Sequence, residues 1–358
     1  MLSLTAMEAL KEAGYRVRLV TTVPTKWSLV ERVTGKRVRP DEESVVFPFQ
    51  FNVFGIYTRL LTFLRLLRDR DCDVTFNTHG DVLPVATDIT YIHFPTFAMF
   101  ANNPVNFKYT QSVFWRVYAT PYFLVQKLLT HRLSNSLVLT NSNYSKEAIR
   151  KHLGLESHVV YPPVNTSLFH RVAGNRRRED VVVSCGRYTP EKNYDLVLNV
   201  AKRLRDLQFI IIGADSGKIT GRYYNHLVRR LRNEGISNVL LLRNVSREEQ
   251  IDLYSRAKVF LHSMIGEHFG IAVVEAMASG LVPVVHRSGG PWMDIVEYGR
   301  HGYGFNDLDD AVDAVRRAVE NYHVLKDNVT KRSLFFDENK FKHRVRLVVE
   351  RVLDEKLS

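Results

Sequence analysis

Cysteine is nearly absent from this chain: its 358 residues contain only Cys72 and Cys185. Two thiols cannot make a disulfide framework, and no Cys-x-x-Cys pair or Cys/His cluster is spaced to cage zinc, so a reduced compartment is expected. Long hydrophobic runs are lacking too. No stretch reaches the roughly eighteen uninterrupted apolar residues of a spanning helix, and Met1 leads into polar, helix-forming sequence unlike a signal peptide. The chain is therefore expected to be soluble or peripheral on a membrane. No tandem repeat of about 20–50 residues is evident, which argues against a solenoid or propeller.

What is present is ordinary globular composition, 45% hydrophobic and 25% charged, over a length that suggests two domains. The charge is uneven. Of 50 Lys and Arg against 38 Asp and Glu, residues 1–178 hold 23 and 13, and residues 179–358 hold 27 and 25, so the two halves carry +10 and +2. The excess concentrates in 101–178, where eleven basic residues meet only Glu147 and Glu156. This implies an anionic partner of the first half, or merely a basic, soluble surface.

Short β-branched runs alternate with amphipathic helical stretches, the pattern of parallel sheets covered by helices. Strands are expected at 17–21, 74–76, 89–92, 137–140 and 159–161, then at 181–185, 209–212, 239–242, 259–262 and 282–285. Pro162-Pro163 and the polar stretch Ala173–Arg178 place a boundary near 162–180. The resulting domains are 1–170 and 171–358, with the C-terminal helix able to pack back on the first. The chain opens on a helix, 3–13, where a doubly wound domain normally opens on a strand and a glycine-rich turn.

Two stretches carry chemistry. Glu267-His268-Phe269-Gly270-Ile271 leads from an expected strand into a helix holding Glu275 and stopped by Gly280. Gly270 lets backbone approach a ligand closely, and amides at a helix start attract phosphate. The carboxylates of Glu267 and Glu275 suit the hydroxyls of a sugar and a ribose. Gly186-Arg187-Tyr188-Thr189-Pro190-Glu191-Lys192-Asn193 follows another strand and sets two cations, Arg187 and Lys192, at the C-terminal edge of a sheet, where such folds bind ligands. The pair would neutralise a leaving diphosphate.

Together these motifs resemble the family-four retaining glycosyltransferases of the GT-B fold. Glu267 and Glu275 match its Glu, seven residues, Glu motif, and Gly186, Arg187, Glu191, Lys192 and Asn193 match its Gly-Arg…Glu-Lys-Asn motif. The resemblance implies an α/β, GT-B protein with two Rossmann-like domains facing across a cleft. It implies that Arg187 and Lys192 bind the donor diphosphate, that Glu267 contacts the donor sugar, and that Glu275 holds the ribose. Gly186, His268, Phe269, Gly270, Ile271 and Val245 complete the expected donor site. By the same resemblance His93, after an expected strand of the first domain, faces the donor sugar. Gly289, Gly290 and Asp294 would shape the loop beside the nucleotide, unless Gly289-Gly290-Pro291 is only a turn. No metal or other cofactor is expected. The stretches Tyr91–Thr96, Val160–Val164, Leu261–Met264 and Ser288–Val296 look more narrowly like the eukaryotic α-1,2-mannosyltransferases of lipid-linked oligosaccharide assembly. Those enzymes take mannose from GDP-mannose to a dolichyl-diphosphate-linked glycan on the cytosolic membrane face. Set against the family, the first domain lacks its initial strand and Gly-rich turn, which would precede Met1. The glycine common before the base-binding loop is also missing from Leu242-Arg243-Asn244-Val245-Ser246.

Aromatic and basic residues interleave over 97–132 and again over 54–70, which suits either a core stripe or an anionic bilayer surface. Lys108, Trp115, Arg116 and Lys127 are the expected membrane and acceptor contacts. The expected partners are thus a nucleotide sugar, a polyprenyl-linked glycan acceptor and an anionic membrane surface on the cytoplasmic side, with no nucleic acid. Three alternatives stay open: a UDP-sugar enzyme with a soluble acceptor, an inactive transferase-like protein, and a nucleic-acid binder, which would leave both motifs unexplained.

Overall fold

The computed structural model describes residues 1–49, 71–81, 85, 87–95, 117, 120–122, 124, 128–174, 177–215 and 217–358. The chain divides into two compact units, Met1–Pro163 with Glu338–Ser358, and Val164–Asp337. The division thus falls at 163/164 where the sequence suggested 170/171, and the last helix, Glu338–Leu357, is part of the first unit. Its stripe of Phe341, Val345 and Val349 packs in one core with Leu2 and Ala6 of helix Leu2–Glu12 and with Ile89, Tyr91 and Leu139 of the sheet. Lys342 adds ion pairs to Glu12 at 2.7 Å and Glu8 at 3.3 Å.

The first unit contains parallel strands β1 (Arg18–Thr21) and β2 (Glu42–Val45), paired with each other, and a separate sheet of β3 (Phe76–Asn77), β4 (Ile89–Ile92), β5 (Leu137–Thr140) and β6 (His158–Val159) in that order. Among the described residues no strand joins the two sheets. The strand β2 was not legible as one, because Glu42-Glu43-Ser44 reads as loop. Glu43 nevertheless has a structural task, accepting hydrogen bonds from Thr25 N and Trp27 Nε1, both at 2.9 Å.

The second unit is a six-stranded parallel sheet of β7 (Val181–Arg187), β8 (Gln208–Ala214), β9 (Val239–Arg243), β10 (Val259–His262), β11 (Val282–His286) and β12 (Tyr303–Phe305). Their spatial order is β12-β11-β10-β7-β8-β9. Counted from β7, this is the 3-2-1-4-5-6 order of a Rossmann sheet, and the direction of winding reverses between β7 and β10. The central strands are apolar on both faces, as a sheet covered by helices on both sides requires: Val182, Val183, Val259, Phe260 and Leu261 are all at most 1% exposed.

Arg178 locks the entry to this sheet. Its guanidinium donates to the carbonyls of Tyr254 and Ala257 at 2.7 Å, of Val172 at 2.9 Å, and of Ser279. One of the basic residues that suggested an anionic partner is therefore an internal brace. Arg178→Ala strands four carbonyls and is expected to cost about 3–5 kcal/mol, read as a lowered urea midpoint with an unchanged slope.

Candidate functional site

The neighbouring strands β7 and β10 end side by side at the point where the winding reverses, and open α/β sheets bind ligands outside the strand ends at that point. β7 ends on Arg187 and runs into the turn bearing Lys192 and Asn193, and β10 runs into the loop bearing Glu267. Asn193 has φ 52°, a left-handed conformation that asparagine tolerates, and opens helix Tyr194–Arg203. The two loops are tied together: Ser263 Oγ donates to Lys192 O at 2.6 Å, and Ser184 Oγ donates to Leu261 O at 2.7 Å.

Lys192 and Glu267, 75 residues apart in sequence, meet with Nζ 2.5 Å from Oε2. Each side chain is 17% exposed. Glu267 Oε1 accepts from the backbone N–H of His268 at 3.2 Å, while His262 Nε2 lies 3.6 Å from Oε2. Burial alone would push the Glu267 carboxyl up, but His262 and Lys192 outweigh it and hold the group well below the usual carboxylate range. Gly186 makes room for this arrangement: a Cβ there would lie 2.9 Å from Tyr194 Oη and 3.3 Å from Lys192 Cε.

The turn Gly289-Gly290 lies directly against the Glu267 loop. Gly290 N donates to Glu267 O at 2.8 Å, and Gly266 N donates to Ser288 Oγ at 2.8 Å. Gly270, at φ 102°, starts helix Ile271–Ala278, whose first backbone donor into the helix is Val273 N, bonded to Gly270 O at 3.0 Å, so that the amides before it are those a helix leaves without intrahelical partners. Phe269 was expected at the donor, but its side chain is 3% exposed and packs edge-on against Phe336 at 5.5 Å. Only its backbone can meet a ligand.

Glu275 is 9% exposed, and each of its oxygens already has a donor: Arg247 Nη1 at 3.0 Å on Oε1, and Gln250 Nε2 at 3.4 Å on Oε2. Burial raises its carboxyl despite these contacts. A carboxylate oxygen accepts two hydrogen bonds, so capacity remains for a ribose hydroxyl. Neither Arg247 nor Gln250 stands out in the sequence. Their signal was faint, two polar residues in an otherwise ordinary capped helix, Arg247–Arg256. Cys185, also in contact with Gln250, is no nucleophile, since burial pushes its thiol up to about 12.

Arg187 is 65% exposed and paired with Glu191 at 3.4 Å, so it does not join the Lys192–Glu267 pair. In the segment that lacks the expected glycine, Asn244 takes a left-handed φ of 51°. Its side chain accepts from Asp215 N at 2.8 Å and donates to Asp215 O at 3.1 Å. His93 belongs to the first unit. Its Nε2 faces the carbonyl of Thr78 at 3.2 Å and must carry the proton there, leaving Nδ1 as an acceptor. Burial lowers its pKa, so it is neutral at pH 7. Lys108, Trp115, Arg116 and Lys127 lie outside the described residues, as does the stretch 54–70. Tyr122, part of the same aromatic series, is fully buried. Among the described residues no group of three or more His, Cys, Asp or Glu is placed to hold a metal ion, and no helix is long and apolar enough to cross a membrane.

This geometry coincides with a family match: the model for glycosyl transferases group 1 covers residues 166–333. Residues 166–333 are a glycosyltransferase group 1 domain. All the residues expected at the donor site except His93 lie within it. The mouse "GDP-Man:Man(3)GlcNAc(2)-PP-Dol alpha-1,2-mannosyltransferase" is 28% identical over 239 residues, which is 58% of this chain and 47% of the mouse protein. The Caenorhabditis elegans protein of the same name is 32% identical over 180 residues, 45% of this chain and 38% of that one. The chain thus spans about half the length of the curated relatives it matches. Among solved structures, sucrose-phosphate synthase from Thermosynechococcus elongatus superposes with a TM-score of 0.72 at 14% identity, covering 98% of this chain and 92% of that one. Anabaena HepE in complex with UDP and glucose gives 0.67 at 17% identity, covering 98% and 95%. These likenesses show the fold: the glycosyltransferase domain is one of two Rossmann-like units of a GT-B protein.

Proposed function

We propose that the chain is a retaining hexosyltransferase that moves mannose from GDP-mannose to a polyprenyl-diphosphate-linked glycan. The observation that carries the reading is the buried Lys192–Glu267 pair at the winding reversal of the glycosyltransferase domain. The choice of mannose and of a lipid-linked acceptor is supported by the names of the relatives.

In this mechanism Lys192 and Arg187 supply positive charge to the departing diphosphate, the term that dominates when charge develops on a leaving group. Amides at the start of helix Ile271–Ala278 hold the phosphates. Glu267 accepts hydrogen bonds from the donor sugar, Glu275 from the ribose, and Val245 lies beside the base. Retention follows if the acceptor hydroxyl attacks from the face the diphosphate leaves, with no protein nucleophile. The donor is a substrate, and no resident cofactor is assigned.

Transfer of radiolabelled mannose from GDP-mannose to a dolichyl-diphosphate-linked oligosaccharide tests this directly. Label in the lipid fraction, lost in Glu267→Ala, is the expected result, and label from UDP-glucose alone would overturn the donor assignment. His93→Ala is expected to lower turnover while leaving nucleotide affinity intact. Docking at a cytoplasmic membrane face through Lys108, Trp115, Arg116 and Lys127 belongs to the same proposal. Flotation with acidic liposomes is expected to carry wild-type protein upward, and to carry less after the three cations are neutralised.

A further inference from the structure

We propose that His262 is a positioning residue, which holds the Glu267 carboxylate in place when Lys192 leaves it for the donor's diphosphate. The inference rests on the donor-site reading above and concerns a residue to which that reading gives no task.

His262 ends β10, is 4% exposed, and stacks on Phe260 with ring centroids 6.4 Å apart. Its Nε2 is wholly buried without a hydrogen-bond partner. Buried polar atoms in that condition are few, and each calls for an explanation. Glu267 Oε2 lies 3.6 Å from His262 Nε2, just beyond bonding range, and Lys192 Nζ holds that same oxygen at 2.5 Å.

Lys192 cannot serve Glu267 and a diphosphate equally. Once it turns to the phosphates, Glu267 is left as a largely buried carboxylate, and burial penalises such a group. Oε1 remains pinned by the His268 N–H at 3.2 Å, so a small pivot about that bond brings Oε2 within reach of His262. Lys192 Nζ also meets Met264 Sδ at 3.3 Å, a neutral and weak acceptor that offers little resistance to its leaving. His262 therefore keeps Glu267 aimed at the donor sugar during the exchange.

The test compares a ligand that has the sugar with one that lacks it. Affinities for GDP and GDP-mannose are measured calorimetrically for wild type, His262→Leu and His262→Gln, with UDP and UDP-glucose in parallel. His262→Leu is expected to bind GDP within about twofold of wild type and GDP-mannose about tenfold more weakly, the scale of one hydrogen bond to a charged group. His262→Gln keeps an N–H donor and is expected to restore most of that preference. An unchanged sugar preference in His262→Leu, or failure of His262→Gln to restore it, would overturn the role of His262. If His262→Leu does not fold, His262→Asn, polar but too short to reach, takes its place with the same expectation. A wild-type protein that binds none of the four ligands overturns the donor-site reading itself, and a preference for UDP-glucose moves the same comparison to the uridine pair.

Discussion

Lys192→Ala is expected to lower hexosyl transfer by about 10²–10³-fold, the usual consequence of removing one fixed electrostatic partner of a leaving group. The protein should still fold, because His262 remains beside Glu267 and the substitution opens toward the site. Initial rates at saturating donor, with a far-ultraviolet spectrum to confirm the fold, check both halves of this expectation. Turnover within about fivefold of wild type would remove Lys192 from the mechanism. The same variant carries a pH signature. Glu267 titrates below its unfolded-state value, so its contribution to stability is present above about pH 4.3 and is lost as the pH falls toward the folded value. Lys192→Ala should shrink that acid-side loss, visible as a flatter dependence of the urea midpoint between about pH 5 and 3.

Gly289→Ala should be the most damaging single methyl group in the second unit. Gly289 has φ 76°, and a Cβ there would overlap the Glu267 carbonyl oxygen and lie 2.8 Å from its nitrogen. Both obstacles are backbone, which cannot swing aside like the end of a flexible side chain. Strain in the left-handed region and overpacking together are expected to cost about 2–5 kcal/mol. They also displace the loop that presents Glu267, so nucleotide-sugar affinity should fall with stability. Gly174→Ala is the internal control, since a Cβ there meets nothing within 4 Å, and a change within about 0.5 kcal/mol is expected. Urea midpoints of the two variants side by side decide the matter.

The sequence made most of this architecture legible where its signals were chemical or periodic. The strands 89–92, 137–140 and 259–262 fall where β-branched runs placed them, because those strands are buried on both faces and leave no polar interruption. Lys192 and Glu267 could be nominated from their motifs, but their contact is a product of strand order, which no local pattern encodes. β12 escaped notice because Tyr303-Gly304-Phe305 is only three residues long with a glycine at its centre. The attachment of helix Glu338–Leu357 to the first unit is a long-range packing fact of the same kind. Asn244 shows a subtler limit: the glycine expected before the base-binding loop is missing, yet a left-handed backbone at φ 51° is present in that segment, on a residue type that tolerates it.

If the second unit binds a nucleotide sugar, that ligand protects it against thermal unfolding. A ligand at a hundred times its dissociation constant adds about 2.7 kcal/mol of stability. For a unit of this size that is roughly 5–10 °C in Tm. Such a rise is expected with GDP-mannose, with a marked loss of it in Lys192→Ala and Glu267→Ala. No rise with any GDP- or UDP-sugar at millimolar concentration, or equal protection of the two variants, would contradict this expectation.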